Sequence, residues 1–189
     1  MSKFVKRKGV NNESQFINDF DGHMDVGVLG ARIIFYVLSQ FGYTDLALEM
    51  IIRPDFPSYG YIVNLGFTTL WEKFTREPME SLNHHFWGDI TAWFVKCLVG
   101  IDYNPTATDL RRVDIKPHIP QKLDDAAAYY DSNFGKIECG WKKQDDKVIL
   151  TVNVPTEMTG VIAPQNDYRF ADGDTEKNLT SGIYELIKA

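Results

Sequence analysis

Two short stretches hold most of the side chains able to do chemistry, Thr69-Leu-Trp-Glu-Lys-Phe74 and Ser81-Leu-Asn-His-His-Phe-Trp-Gly88. Together they gather a carboxylate, an amide, two imidazoles and several aromatic rings within one short span of chain. This mixture suits a pocket that grips a sugar, because aromatic rings offer apolar faces to C–H groups while fixed polar groups hold hydroxyls. The chain has no glycine-rich phosphate loop, no Gly-x-Ser-x-Gly elbow and no Cys–His pair placed for nucleophilic catalysis.

Glu72 is the strongest single candidate. It follows a Thr-Thr pair and Trp71 at what reads as the start of a short helix, where a carboxylate can project into a pocket and the indole can exclude water. The same position equally suits a Glu favoured by a helix dipole beside a Thr68 or Thr69 cap. In the Asn83-His84-His85 run, neighbouring helical residues point about 100° apart, so the two imidazoles do not readily share one task. Ligand spacing of i, i+4 is missing, and metal binding is not expected. Tyr59, Tyr61, Trp71 and Trp87 suit either sugar stacking or the core. His23 and Asp25 stand just ahead of an apolar helix, with Asp25 placed to cap it or to point inward; His118, beside Pro117, reads as structural.

These residues need a scaffold, and the apolar spacing supplies one that changes character near residue 105. Before it the period is helical. Residues 26–41 are densely apolar with Gly42 as a C-cap, and Thr44 reads as the N-cap of a helix over 45–52 that Pro54 stops. Phe86, Ile90, Trp93, Phe94, Cys97 and Leu98 fall on one wide helical face ended by Gly100. Between these helices, residues 54–70 read as a loop punctuated by Pro57, Gly60 and Gly66, with aromatics that a mere linker would not carry. After residue 105 the period becomes two: Val113 and Ile115 alternate with polar neighbours, and strands are predicted over 136–141, 147–154, 158–163 and 181–187. The expectation is a helical segment over 1–104, with about 1–20 a tail or linker, and an all-β sandwich over 105–189.

The 189 residues, 44% hydrophobic, are enough for one ordinary core or two small ones. A formal charge of −6 argues against nucleic acid as the main partner. No run approaches the ~18 apolar residues that cross a bilayer, so no membrane partner is expected, and no apolar run follows the basic cluster at Lys3–Lys8 to make a signal peptide. The compartment stays open. Cys97 and Cys139 lie far apart and make neither a disulfide framework nor a zinc site.

Seven stretches in order, Gly22-His23, Asp25-Val-Gly-Val-Leu-Gly30, Gly42-Tyr-Thr-Asp-Leu-Ala47, Pro57-Ser-Tyr-Gly-Tyr61, Thr68-Thr-Leu-Trp-Glu72, Ser81-Leu-Asn-His-His-Phe-Trp-Gly88 and Ala92-Trp-Phe94, resemble the closing hairpins of the (α/α)6 barrel of bacterial α-L-rhamnosidases, glycoside hydrolase family 78. Gly100-Ile101 and the strand-rich remainder resemble the C-terminal β-sandwich of the same enzymes. The resemblance implies an α+β multidomain fold: a partial (α/α)6 six-hairpin barrel, then an antiparallel, jelly-roll-like β-sandwich. It also implies an inverting glycosidase without a cofactor, acting on rhamnose-containing oligosaccharides or glycosides. Glu72 would then be the general base, His84 and Asn83 would bind rhamnose hydroxyls, and Trp71 and Tyr59 would flank the pocket. At Tyr59 the family more often has Trp.

One departure matters more than the match. Inverting hydrolysis uses a second carboxyl group ~6.5–9.5 Å from the base to protonate the leaving oxygen. The acidic stretch that provides it in the family has no counterpart here, and Glu13, Asp19 and Asp21 lack its surroundings. The first hairpins are missing as well. A chain so cut should be inactive alone and should expose apolar surface that pairs with a complementary N-terminal barrel chain or with itself. A non-catalytic carbohydrate-binding or interaction module is the alternative expectation.

Overall fold

Ala31, Ile34, Phe35 and Leu38 recur at helical spacing, and burying that stripe turns Val28–Gln40 into helix α1. Its end is a Schellman motif: Tyr43 N–H donates to the Leu38 carbonyl and Gly42 N–H to that of Ser39. Gly42 has φ of 85°, the left-handed conformation this motif requires. Helix α2 (Thr44–Ile52) follows at once and buries most of its residues. Its N-cap is Tyr43, with no side-chain cap; Thr44 is already helical, and Asp45 supplies the negative charge of the first turn. Arg53, ahead of Pro54, is extended (ψ 137°) and ends the helix as sterics before proline demand.

The structure, a computed structural model, describes residues 22–24, 26–74, 81–165 and 167–189. The chain forms two compact units, Met1–Asp89 and Ile90–Ala189. In the first, α1 packs on α2 and α2 on a third helix, α3 (Tyr59–Asn64), which lies inside the stretch expected to be loop. Local capping explains it: Ser58 Oγ accepts from Tyr61 N–H, and a second Schellman turn closes the helix at Gly66. Residues 85–88 form a 3-10 turn.

The second unit opens with a short α-helix, α4 (Asp89–Trp93), which widens into a π-helix over Phe94–Val99. Of the apolar face expected here, Ile90, Trp93, Cys97 and Leu98 are buried, whereas Phe94, where the π-helix begins, is exposed. Gly100, with φ of 91°, ends the turn beneath the Lys116–Pro117 backbone, where a Cβ would clash.

Beyond it stand two sheets. One has the order β1 (Ile101–Tyr103), β2 (Val113–Ile115), β6 (Val161–Ile162), β8 (Lys177–Asn178). The other runs β3 (Asp125–Ser132), β4 (Gly135–Gln144), β5 (Lys147–Asn153), β9 (Gly182–Lys188), β7 (Tyr168–Phe170). Ile101, Val113, Ile115 and Ile162 of the first meet Ile137, Trp141, Leu150 and Leu186 of the second in one core, which makes the pair a sandwich. All strand pairs are antiparallel except β2–β6.

Asp114 corrects the expected alternation in β2, since all three residues there are buried. Its carboxylate receives Lys116 Nζ at 2.7 Å, Arg112 Nη2 at 3.2 Å and Val161 N–H at 3.3 Å. Burial works to raise this carboxyl, but the two cations outweigh it and hold it below the usual range. Cys139 donates its thiol to the Val99 carbonyl, and burial pushes it up to about 12, so it is inert.

Two predictions follow from these units. Leu29 (69% exposed) and Ile33 (59%) stand one turn apart on the outer side of α1. Replacing both with Lys should reduce self-association in sedimentation velocity while changing stability by no more than about 0.5 kcal/mol. Burial also lowers His118 to about 4, below an unfolded value near 6.5, so the unfolded chain binds the extra proton between these values. Stability from this group is therefore present above pH 6.5 and falls as pH drops towards 4, by on the order of 3 kcal/mol. Denaturation midpoints of His118→Leu should depend less steeply on pH than wild type across that window.

Candidate active site

Four hydrogen bonds join the two motif stretches side by side. Glu72 N–H donates to the Ser81 carbonyl at 3.0 Å, and His84 N–H to that of Leu70 at 2.6 Å. Thr69 Oγ1 donates to the Leu82 carbonyl at 2.5 Å. Trp87 Nε1 donates to the carbonyl of Glu72 itself at 3.1 Å. The backbone of Glu72 is thus held on both sides, by a main-chain and an indole partner. The expected helix start is absent: residues 72–74 form a bend, and Thr69 ties its segment to Leu82 instead of capping a helix.

Trp87 provides the anchor because it is itself fixed. Its ring is buried, tilted against Phe74 at 4.5 Å between centroids and edge-on to Tyr59 at 6.2 Å. Tyr59 completes the cluster by packing on Phe74 and donating its hydroxyl to the Trp87 carbonyl at 3.0 Å. Burial, and secondarily the Asp89 carboxylate, pushes the Tyr59 phenol far above its ordinary value, so it stays neutral.

Beside this cluster lies a cavity of about 480 Å³, lined by Met24, Val26, Gly27, Phe56, Pro57, Glu72, Lys73, Phe74 and Trp87. Its size lies in the range of small-molecule sites, roughly 300–1,000 Å³. The composition is also typical: an apolar wall broken by one carboxylate and one ammonium. Of the expected site residues, Glu72 lines it.

The others fall in different places. Trp71 stacks on Phe67 (3.8 Å between centroids, 20° between planes) and donates Nε1 to Thr69 Oγ1, so one of its faces is already covered. Asn83 is exposed. His84 is half-buried, extended rather than helical, and ahead of the 3-10 turn that begins at His85; its ring lies 5.5 Å from that of Phe86. Tyr59 does not line the cavity. It is 8% exposed with its hydroxyl engaged, and it supports Trp87 from beneath. Among the described residues no group of three His, Cys, Asp or Glu side chains is placed to hold a metal. Asp25, like Glu13, Asp19 and Asp21, lies outside the described residues.

Sequence reasoning passed over Lys73, Met24 and Val26 as cavity residues, whereas Phe56 and Pro57 lie in the aromatic stretch read as more than a linker. The flanking breakers Gly22 and Pro57 were the available signal, since they mark loops whose conformation is fixed. Replacing Trp87 with Phe keeps the ring packing but removes the hydrogen bond to Glu72. We expect a loss of about 1 kcal/mol in denaturant unfolding and faster amide exchange at Glu72 than in wild type.

The bacterial α-L-rhamnosidase six-hairpin glycosidase domain matches residues 5–98, and the bacterial α-L-rhamnosidase C-terminal domain matches residues 100–178. An α-L-rhamnosidase of Formosa agariphila is 34% identical over 84% of this chain and 17% of its own length. One from Alteromonas sp. is 29% identical over 89% of this chain and 19% of its own. The crystal structure of Streptomyces avermitilis α-L-rhamnosidase complexed with L-rhamnose superposes with a TM-score of 0.77 at 26% identity, covering 93% of this chain and 19% of that one. The chain thus spans about a fifth of the length of the relatives it matches. With both domain types in sequence order along nearly its whole length, the chain belongs to the bacterial α-L-rhamnosidases and corresponds to their C-terminal part, the end of the six-hairpin domain followed by the C-terminal β-sandwich domain.

Proposed function

We propose that this chain supplies the base side of an inverting α-L-rhamnosidase active site, with Glu72 as general base. The observation that carries the reading is that Glu72 is the one carboxylate among the described residues lining the cavity, on a backbone pinned by Ser81 and Trp87. A base must hold its water in line with the anomeric carbon, and a fixed main chain lets a short side chain do so. The apolar wall suits a 6-deoxy sugar such as L-rhamnose, whose C6 is a methyl group. His84 and Asn83 are assigned to the sugar hydroxyls and the uncovered face of Trp71 to its C–H face, while Tyr59 acts through Trp87.

The general acid, in this reading, comes from residues outside this chain, in the earlier part of a complete barrel or in a complementary N-terminal polypeptide. The chain alone then binds a rhamnoside without efficiently cleaving it. A second reading, a carbohydrate-binding module without catalysis, is favoured by the same single carboxylate, because one group cannot serve as base and acid on opposite faces of the sugar ring.

Hydrolysis of an aryl α-L-rhamnoside and of a rhamnose disaccharide, by the chain alone and mixed with an upstream barrel fragment, separates the two. The catalytic reading expects the mixture to cleave both substrates and Glu72→Gln to reduce the rate by about 10²–10⁴. Binding of L-rhamnose with no rescue by the upstream fragment supports the module. Glu72-dependent cleavage of the disaccharide by the chain alone would show that it holds its own acid.

A further inference from the structure

The cavity has three walls, and only one of them is made by the motif residues. Met24, Val26 and Gly27, from the segment before α1, form the second; Phe56 and Pro57, from the turn between α2 and α3, form the third. Residues 27 and 56, the near ends of these two segments, stand 29 positions apart in sequence, so their spacing depends on a tertiary contact. One such contact stands directly beside both. His23 Nε2 lies 3.0 Å from Asp55 Oδ2. Asp55 is in turn gripped by Arg53, through Nε to Oδ1 at 2.9 Å and Nη2 to Oδ2 at 3.1 Å.

The rest of the turn is built to hold Asp55 still. Ser58 Oγ lies 2.6 Å from the Arg53 carbonyl and 3.0 Å from that of Asp55, while accepting from Tyr61 N–H at the start of α3. Gly60 sits so close to the Ile52 and Arg53 carbonyls that any Cβ would clash, which fixes α3 against the end of α2. Asp55 is more than half exposed and His23 mostly covered, so the pair stands at the rim and not in the core. The Arg53 guanidinium holds the Asp55 carboxyl well below the usual range, so it stays a charged acceptor.

We propose that His23 and Asp55 are positioning residues that set the width of the sugar cavity by tying the wall of Met24, Val26 and Gly27 to the wall of Phe56 and Pro57. This rests on the rhamnoside reading above for the identity of the ligand, though not for the clamp itself. The two walls it joins are mainly apolar, and they are the ones that would flank the methyl group of a 6-deoxy sugar. A fixed gap admits the methyl and leaves an added hydroxyl without a partner; a loosened gap admits water and discriminates less.

The test uses the full chain, wild type and the variants His23→Ala and His23→Gln, because a Gln amide can restore a donor to Asp55. Calorimetry measures affinity for L-rhamnose and for L-mannose, the same sugar with a C6 hydroxyl. Hydrogen exchange measures protection of 22–27 and 53–58. His23→Ala should weaken L-rhamnose binding about tenfold, narrow the rhamnose-to-mannose ratio and speed exchange in both segments, and His23→Gln should largely restore all three. Unchanged exchange in 53–58 with His23→Ala, or equal effects of Ala and Gln, would overturn the clamp. If wild type binds no L-rhamnose while the exchange pattern holds, the clamp stands and the rhamnoside reading falls.

Discussion

The hydrogen bond from the Trp87 indole to the carbonyl of Glu72 is the contact around which the site is arranged. Its donor is buried in a cluster with Tyr59 and Phe74, and its acceptor belongs to the carboxylate residue that lines the cavity. A buried indole N–H without a partner would be costly, so the cluster and the bend at residues 72–74 stabilise one another. The remaining bonds between the two stretches, Glu72 to Ser81, His84 to Leu70 and Thr69 to Leu82, follow the same register. Slipping that register by one residue would break all four at once. The Thr-Thr-x-Trp-Glu and Asn-His-His-x-Trp patterns are therefore one structural unit, with the aromatic residues as its foundation.

This arrangement divides the aromatic residues near the cavity into two groups. Tyr59 and Trp87 have polar atoms engaged with backbone carbonyls and faces packed on other rings, so they fix the frame. Trp71 has one face on Phe67 and a half-exposed remainder, and Phe56 is half exposed at the rim, edge-on to Tyr61 at 5.8 Å. An aromatic ring serves a sugar only through a face left uncovered. Which face is covered is set by neighbours from other elements, and residue type alone does not report it.

The parts of the fold governed by local chemistry could be read from the chain. Gly42, Pro54 and Gly100 each sit where the backbone needs them, and the strands at 147–153 and 182–188 carry clear alternation. Strand β3 gave no such signal, because Asp125–Ser132 holds three alanines and two tyrosines of mixed exposure. It is a strand because it pairs with β4 along its full length. Asp114 broke the alternation rule because two cations follow it in space. Phe94 left the expected face at the point where the α-helix gives way to a π-helix. Around the cavity, Glu72 stood out in the chain by its setting of Trp and paired Thr. The bond that buries Tyr59 was not legible because its hydroxyl partner lies 28 residues away, and the His23–Asp55 pair went unseen because 32 residues separate its members.

These separations also divide the site by how it is held. The bonds that fix Glu72 join residues no more than 15 apart, within one excursion of the chain. They can form as soon as that excursion folds on Phe74 and Trp87, independently of any hairpin elsewhere in a complete barrel. Loop-closure entropy for so short a segment is small, so local bonds suffice to hold it. The walls of the cavity differ, since they come from segments joined only by tertiary contacts among α1, α2 and α3. The backbone of Glu72 is thus set by local bonds, whereas the distance between the walls is set by tertiary ones.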